Sequence, residues 1–218
     1  MDVYDAVTSR RAVREFTDRP VPRRTLDRVL TAAAWAPSAS NLQPWHAYVV
    51  TGEPLAELKK RACERVAAGD PFDEPEYQQY PPALKSPYRD RRSAFGEQRY
   101  GALGIPRDDL EARHRAAIAN WDCFGASTAL FCYLDREMGP AQWSDVGMYL
   151  QTVMLLCRDE GLHTCTQMAW AKCHRTVADI LSPPTDLTLF CGMSIGYEST
   201  PAPRTGRAPL TETLTYVG

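Results

Sequence analysis

Three stretches of this chain hold the residues that could do chemistry. Near one end stands Ser9-Arg10-Arg11-Ala12-Val13-Arg14, and near the other stands Arg204-Thr205-Gly206-Arg207-Ala208-Pro209-Leu210. Between them lies a small-polar loop, Pro37-Ser38-Ala39-Ser40-Asn41-Leu42-Gln43-Pro44-Trp45. Arginine holds phosphate through paired N–H donors and stays charged at any working pH. Arg10 and Arg11 would diverge by about 100° on a regular helix. At a helix end, one can reach a phosphate while the other reaches neighbouring hydroxyls. Arg207 could close such a clamp from a distant part of the fold. At ~4 Å and an effective dielectric of ~20, one arginine–phosphate pair is worth about 4 kcal/mol before desolvation.

The loop suits a flat ring. Ser38, Ser40 and Asn41 are compact donors and acceptors, Ala39 permits close backbone approach, and Gln43 can bond a heterocycle edge. Pro37 and Pro44 bound the segment. A charged tail plus a flat heterocycle is what flavin mononucleotide presents. Two-electron reduction of a flavin places negative charge on the pyrimidine side of its ring, which a fixed cation such as Arg14 would stabilise. Each stretch also has a plainer explanation. The first block could be a solvated basic patch, the loop a helix-to-strand turn, and Arg14 a surface ion-pair residue.

Other chemistries find no support. No G-x-G-x-x-G motif follows a strand and opens a helix, and neither a P-loop nor a G-x-S-x-G elbow occurs. The four histidines lack metal-ligand spacing, so no metal site is expected. Asp108 and Asp109 read as helix caps. Seven cysteines without a C-x-x-C pair read as reduced, small core residues.

The elements that must position these groups come from 218 residues, 44% of them hydrophobic, with a net charge of −2. Such a chain can bury one core and has no overall basic field for nucleic acid. No apolar run approaches the ~20 residues of a membrane span. The first residues are acidic and lack an apolar signal core, so a cytoplasmic protein is expected.

Apolar periodicity predicts helices over 2–10, 22–34, 53–68, 107–121, 142–160 and 172–181. Strands are predicted over 45–50, 127–134, 163–169 and 187–196. Gly161 should cap the strongest helix, 142–160, which is apolar on more than one side and suits a dimer core. Residues 69–106 carry six prolines and six aromatics, leaving little room for long helices. They read as a mobile lid or a substrate-specificity insertion, or else as an excursion around a partner subunit. Residues 197–218, with Pro201, Pro203 and Pro209, read as an extended arm. Helices and strands interleave without segregation, which favours the α+β class.

In order and spacing, these motifs resemble the nitroreductase family of FMN-dependent NAD(P)H oxidoreductases. Ser9 to Arg14 resembles its N-terminal S-R-R-S-x-R block, and Pro37 to Trp45 its P-S-x-x-N-x-Q-P-W loop. Gly161-Leu162-His163-Thr164-Cys165-Thr166-Gln167-Met168 is similar to its G-L-x-T-x-x-Q segment. Gly192 to Tyr197, followed by Arg207-Ala208-Pro209-Leu210, is similar to its closing strand and phosphate-binding arm. Tyr100 to Ile105, Phe124-Gly125-Ala126 and Trp143 to Met148 resemble a subgroup acting on nitroaromatics such as nitrobenzoates. The resemblance spans nearly the whole chain.

It implies an α+β fold with a central mixed sheet flanked by helices, in an intertwined homodimer with an extended C-terminal arm. Residues 1–218 would be one FMN-binding domain, with two FMN sites at the dimer interface. Arg10, Arg11 and Arg207 would hold phosphate and ribityl, and Arg14 and Gln43 would approach the pyrimidine. Gln167 and Met168 would lie near N5, mainly through backbone. Pro37, Ser38, Ala39 and Ser40 would come from the partner subunit, while Asn41 and Phe124 would contact substrate. NADH or NADPH would donate hydride to N5 in a ping-pong cycle, and a small planar electrophile would collect it. No side chain need be catalytic. Within the same fold, a dehydrogenase, a dehalogenase, an enoate reductase or a non-catalytic redox sensor are the alternatives. Two departures matter: Ala12 stands where the family usually has serine, and Ser127 where the subgroup more often has proline.

Overall fold

The computed structural model describes residues 1–201 and 204–218. Pro203 of the expected arm therefore lies outside the described residues. Helix α1 spans Val3–Ser9, with Asp2 capping it through the Asp5 N–H at 2.8 Å. Helix α2 spans Arg23–Ala33, with Pro22 as its N-cap residue. Strand β1 is His46–Thr51 and helix α3 Gly52–Ala67. Helices α4 and α5 span Tyr88–Ala102 and Leu110–Ile118. Strand β2, Thr128–Asp135, is followed by helix α6, Pro140–Asp159. Strand β3, His163–Gln167, helix α7, His174–Leu181, and strand β4, Leu187–Gly196, complete the order. Leu210–Glu212 forms a single 3-10 turn in an otherwise irregular arm.

The strands form one sheet in the order β1-β2-β4-β3. Every pairing among them is antiparallel, where the resemblance implied a mixed sheet. Parallel neighbours need a right-handed crossover between them, and here each strand lies beside an oppositely directed one. The sole parallel link among the described residues is the bridge between Ala12 and Thr164. It lays the N-terminal arginine block along the outer side of β3.

Both faces of the sheet are buried. One side packs Phe131, Leu189, Trp170 and α3 residues such as Leu58 and Ala62. The other packs Leu130, Leu134, Met193 and Ile195 against α2 and α6, through Val29, Val146, Leu150 and Val153. That explains why β2 and β4 read as continuous apolar runs rather than alternating ones. All seven cysteines are unpaired thiols, and six are buried. Gly161 closes α6 with φ +72°, as its position predicted.

Residues 69–106 depart from expectation. A 15-residue helix, α4, occupies what six prolines were expected to break up. The prolines punctuate rather than interrupt: four lie ahead of the helix, Pro87 sits at its N-cap, and Pro106 follows it. The segment before it is stapled down. Buried Asp73 pairs with Arg65 at 2.9 Å and accepts the Arg175 N–H at 2.9 Å. Tyr77 donates its hydroxyl proton to the Phe190 carbonyl at 2.5 Å. Burial raises the Tyr77 phenol well above its ordinary range, so it remains a donor.

Gly192 shows how tightly β4 packs. A Cβ there would stand 2.5 Å from Cδ1 of the fully buried Trp170. Trp170 packs edge-on against Phe131, with centroids 5.2 Å apart, and cannot retreat. Gly192→Ala should therefore cost about 1–3 kcal/mol. A thermal melt should show Tm falling by about 3–10 °C; an unchanged Tm would disprove the close packing.

Candidate functional site

Helix α1 delivers the first arginines. Its last turn ends as the Arg10 N–H bonds the Ala6 carbonyl at 3.1 Å, and the chain then runs extended. The Val13 N–H bonds the Thr164 carbonyl at 3.1 Å. Val13 is buried in the core, which leaves Arg10, Ala12 and Arg14 half-buried at the β3 edge.

Arg10 has no acidic partner among the described residues. Burial, and then the nearby charge of Arg207, hold its guanidinium below the ordinary value. Arg207 is exposed and, among the described residues, bonds only carbonyls of its own loop, Thr205 at 2.9 Å and Gly206 at 3.0 Å. Two cations from opposite ends of the sequence thus meet with no anion between them. That electrostatic deficit is what a phosphate corrects.

Arg11 behaves differently. Its guanidinium grips both oxygens of Glu198, with Nε at 3.2 Å from Oε1. His163 Nε2 stands 3.5 Å from Glu198, and Arg158 Nη1 stands 2.8 Å from His163 Nε2. Burial first, then Arg158, push His163 below its usual value. Arg11 is therefore matched by a carboxylate and braces the start of the arm against β3. The sequence could not distinguish adjacent Arg10 and Arg11; Glu198 does.

The loop between α2 and β1 is held at both ends and strained between them. Ser40, Asn41 and Gln43 adopt φ of 50°, 56° and 50°. The left-handed region costs a non-glycine residue about 1 kcal/mol or more. Asp145, buried on the first turns of α6, accepts the Ala39 N–H at 3.1 Å. Ser38 Oγ accepts the Gln43 N–H at 2.9 Å, and the Gln43 amide donates to the Asn41 carbonyl at 3.1 Å. At the exit Pro44 is buried, and Trp45 stacks on Tyr149 with centroids 4.8 Å apart. Pro37, Ala39, Ser40, Asn41 and Gln43 are exposed and Ser38 half-buried, so the loop presents its polar groups outward. Sequence reasoning missed Asp145; a carboxylate inside a strongly apolar helix was the available signal.

Two further residues are placed in detail. Gln167 is buried, its Nε2 donating to the Asn120 carbonyl and its Oε1 accepting from Ser194. Its side chain is fully engaged, so only backbone groups of Gln167 and Met168 can face a ligand. The Met168 carbonyl already accepts from Gln79 Nε2 at 3.0 Å. Phe124, expected at the substrate, is instead packed in the core at 6% exposure, with φ +53°. Its carbonyl accepts the Phe16 N–H at 3.0 Å, so within the protomer it is a packing residue rather than a pocket wall. The variant Ser127 donates to the Arg19 carbonyl at 2.9 Å, a bond proline could not make.

A second uncompensated pair was also missed. Arg99, on α4, lies beside Arg14; its Nε is buried without a hydrogen-bond partner among the described residues. Burial, then Arg14, hold it below the ordinary guanidinium value. No group of acids, histidines or cysteines among the described residues could hold a metal ion.

The geometry also separates the parts. The loop touches α6 at Asp145, while the arginine block touches it at Arg158, whose Nε lies 3.3 Å from Ser9 Oγ. These are opposite ends of the helix, about 20 Å apart. One protomer does not bring its own loop to its own clamp. Among the described residues, no helix is long and apolar enough to cross a membrane.

Known proteins resemble this chain over nearly its whole length. The chain is 38% identical to a 4-nitrobenzoate reductase of Nocardioides sp. (strain LMS-CY), over all of this chain and 91% of that protein. It is 37% identical to a nitrobenzene nitroreductase of Ectopseudomonas oleovorans, over 92% and 88% of the two chains. The crystal structure of an FMN- and NADPH-dependent nitroreductase from sphigopyxis sp. strain HMH superposes with a TM-score of 0.95, at 41% identity and full coverage of both chains. The family model described as "Nitroreductase family" matches residues 7–197, from the arginine block through the strained loop to the end of β4. By that match and those identities, the chain belongs to the nitroreductase family.

Proposed function

We propose that this protein is an FMN-dependent NAD(P)H oxidoreductase that reduces small planar electrophiles, nitroaromatics foremost. The observation that carries the reading is the pairing of Arg10 with Arg207 where the described residues supply no anion. The donor set fits the cofactor. Arg10 and Arg207 would hold the phosphate, Arg14 would face the pyrimidine side, and backbone of Gln167 and Met168 would line the ring edge. Ala12, lacking a hydroxyl, leaves that contribution to backbone. Bound FMN supplies the hydride relay between nicotinamide and acceptor. The chain's own part is to bind and orient. Asp145 fixes the loop that carries Ser38, Ser40 and Gln43, and Arg14 stabilises negative charge at the ring. Arg11 steadies the clamp through Glu198. Two of the relatives described above are reductases of nitrobenzoate and nitrobenzene, which supports the acceptor class.

A homodimer completes the reading. The loop and the clamp lie too far apart within one protomer, so a second copy's Pro37–Gln43 loop would meet the first copy's arginines. Exposed apolar residues support this, with Tyr4 84% and Trp35 88% exposed, and Met148 open on the off-core side of α6. The outer edge of β1 is unpaired among the described residues and flanks a groove of about 820 Å³ lined by Ala47, Val49, Leu26 and Leu55. The extended arm of a second copy would suit it. The lid reading narrows to residues 81–106, because the preceding segment is anchored. A cytoplasmic location fits the same picture.

Three measurements test this. The purified protein should be yellow and bleach anaerobically with NADH or NADPH, and varied donor and nitroarene should give parallel double-reciprocal lines; a colourless protein that takes up no FMN would refute the reading. Arg207→Ala should weaken FMN binding by about tenfold or more while the fold, read by circular dichroism, persists; undiminished affinity would remove the clamp. Sedimentation equilibrium should give twice the 24.4 kDa chain mass, and a fully flavinated monomer would sink the shared site.

A further inference from the structure

We propose that Arg99 and Arg14 form a subsite for the carboxylate of a planar aryl acceptor, with Phe95 and Tyr100 as its aromatic walls. The inference rests on the acceptor site proposed above and names its substrate class. Phe95 and Arg99 share one face of α4, one turn apart. That face meets the N-terminal block, because the Arg14 guanidinium carbon lies 5.4 Å from the Phe95 ring centroid. Arg99 lies 5.5 Å from the Tyr100 centroid and Arg113 4.4 Å from it. Arg14, Arg99 and Arg113 have no acidic partner among the described residues. Nearby arginines do: Arg89 pairs with Asp90, Arg91 with Glu212 and Arg107 with Glu97. Arg92 on α4 also has no acid among the described residues, but it is exposed, whereas Arg14, Arg99 and Arg113 are half-buried.

Aromatic contacts do not resolve it. A ring face attracts a guanidinium but accepts no hydrogen bond in its plane, and the buried Nε of Arg99 has no acceptor. A carboxylate supplies a planar acceptor that matches the guanidinium fork, and the attached ring would lie against Phe95 or Tyr100. Dianionic phosphate is better served by Arg10 and Arg207, which form a separate pair. Arg99 is thus assigned as a specificity-determining residue that touches the acceptor. Its neutral counterpart, nitrobenzene, would bypass it.

Binding, rather than turnover, tests the idea. Calorimetric titration of the FMN-loaded protein, without NAD(P)H, would use 4-nitrobenzoate and nitrobenzene as probes. Wild type should bind the carboxylate about tenfold more tightly, and the preference should fall with added salt. Arg99→Gln should lose about tenfold for 4-nitrobenzoate and less than about twofold for nitrobenzene, with Arg99→Lys recovering part. Equal losses for both probes, or a wild type without preference, overturn the subsite. Should Arg99→Gln fail to fold, a wild-type preference that does not change with salt would equally overturn it. A wild type that prefers 4-nitrobenzoate but reduces neither nitroarene keeps the subsite and discards nitroarene reduction. One that reduces nitrobenzene without that preference does the reverse.

Discussion

Uncompensated positive charge governs this molecule. Folding normally pairs a half-buried guanidinium with a carboxylate, as Arg65 is paired with Asp73. Around the candidate site it does the opposite. Arg10 is brought beside Arg207, and Arg99 beside Arg14, and burial together with that like charge holds the Arg10 and Arg99 guanidinium groups below their ordinary value. Like charges held together in partly desolvated surroundings are unstable unless an anion joins them or the scaffold is rigid. The scaffold here is rigid: the Ala12–Thr164 bridge, the buried Val13 and the Arg11–Glu198 grip hold the block on the sheet. Stability is spent on the arginine block so that binding free energy can be gained there.

The second constraint is the separation imposed by α6. The strained loop docks on its first turns and the arginine block on its last. Strain in Ser40, Asn41 and Gln43 persists only because Asp145 and the Trp45–Tyr149 stack fix both ends of the segment. Preformed geometry of this kind lowers the entropy lost when a ligand binds. It also explains why so polar a loop is followed by a buried proline and a stacked indole.

Much of this was legible in the residues. Periodicity located α2, α3, α6 and β4 because each buries one strongly apolar face or run. Gly161 marked the end of α6 because few other residues accept its φ. The motif order was legible because Arg10, Gln43 and Gln167 stand in stretches of unusual composition. What escaped depends on contacts across the fold. Arg11 is indistinguishable from Arg10 until Glu198 arrives from the far end of the chain. Phe124 stands in a motif that implies contact with substrate, yet within the protomer the fold packs it inward. Proline counting misjudged 69–106, because where prolines fall matters more than how many there are. Arg99 carried no motif, and only its lack of a partner distinguishes it.

Helix α4 buries none of its residues fully and is bounded by Pro87 and Pro106. Its attachment to the core is therefore shallow, and local opening should cost far less than unfolding the sheet. The hold on a phosphate, by contrast, is rooted in β3 and the arm. The two regions still touch: Arg91 pairs with Glu212 at 2.7 Å, Gln98 donates to the Arg204 carbonyl at 2.8 Å, and Arg14 lies over Phe95. A lineage can retune what it reduces at the α4 positions outside those contacts while the machinery for keeping its pigment is inherited intact.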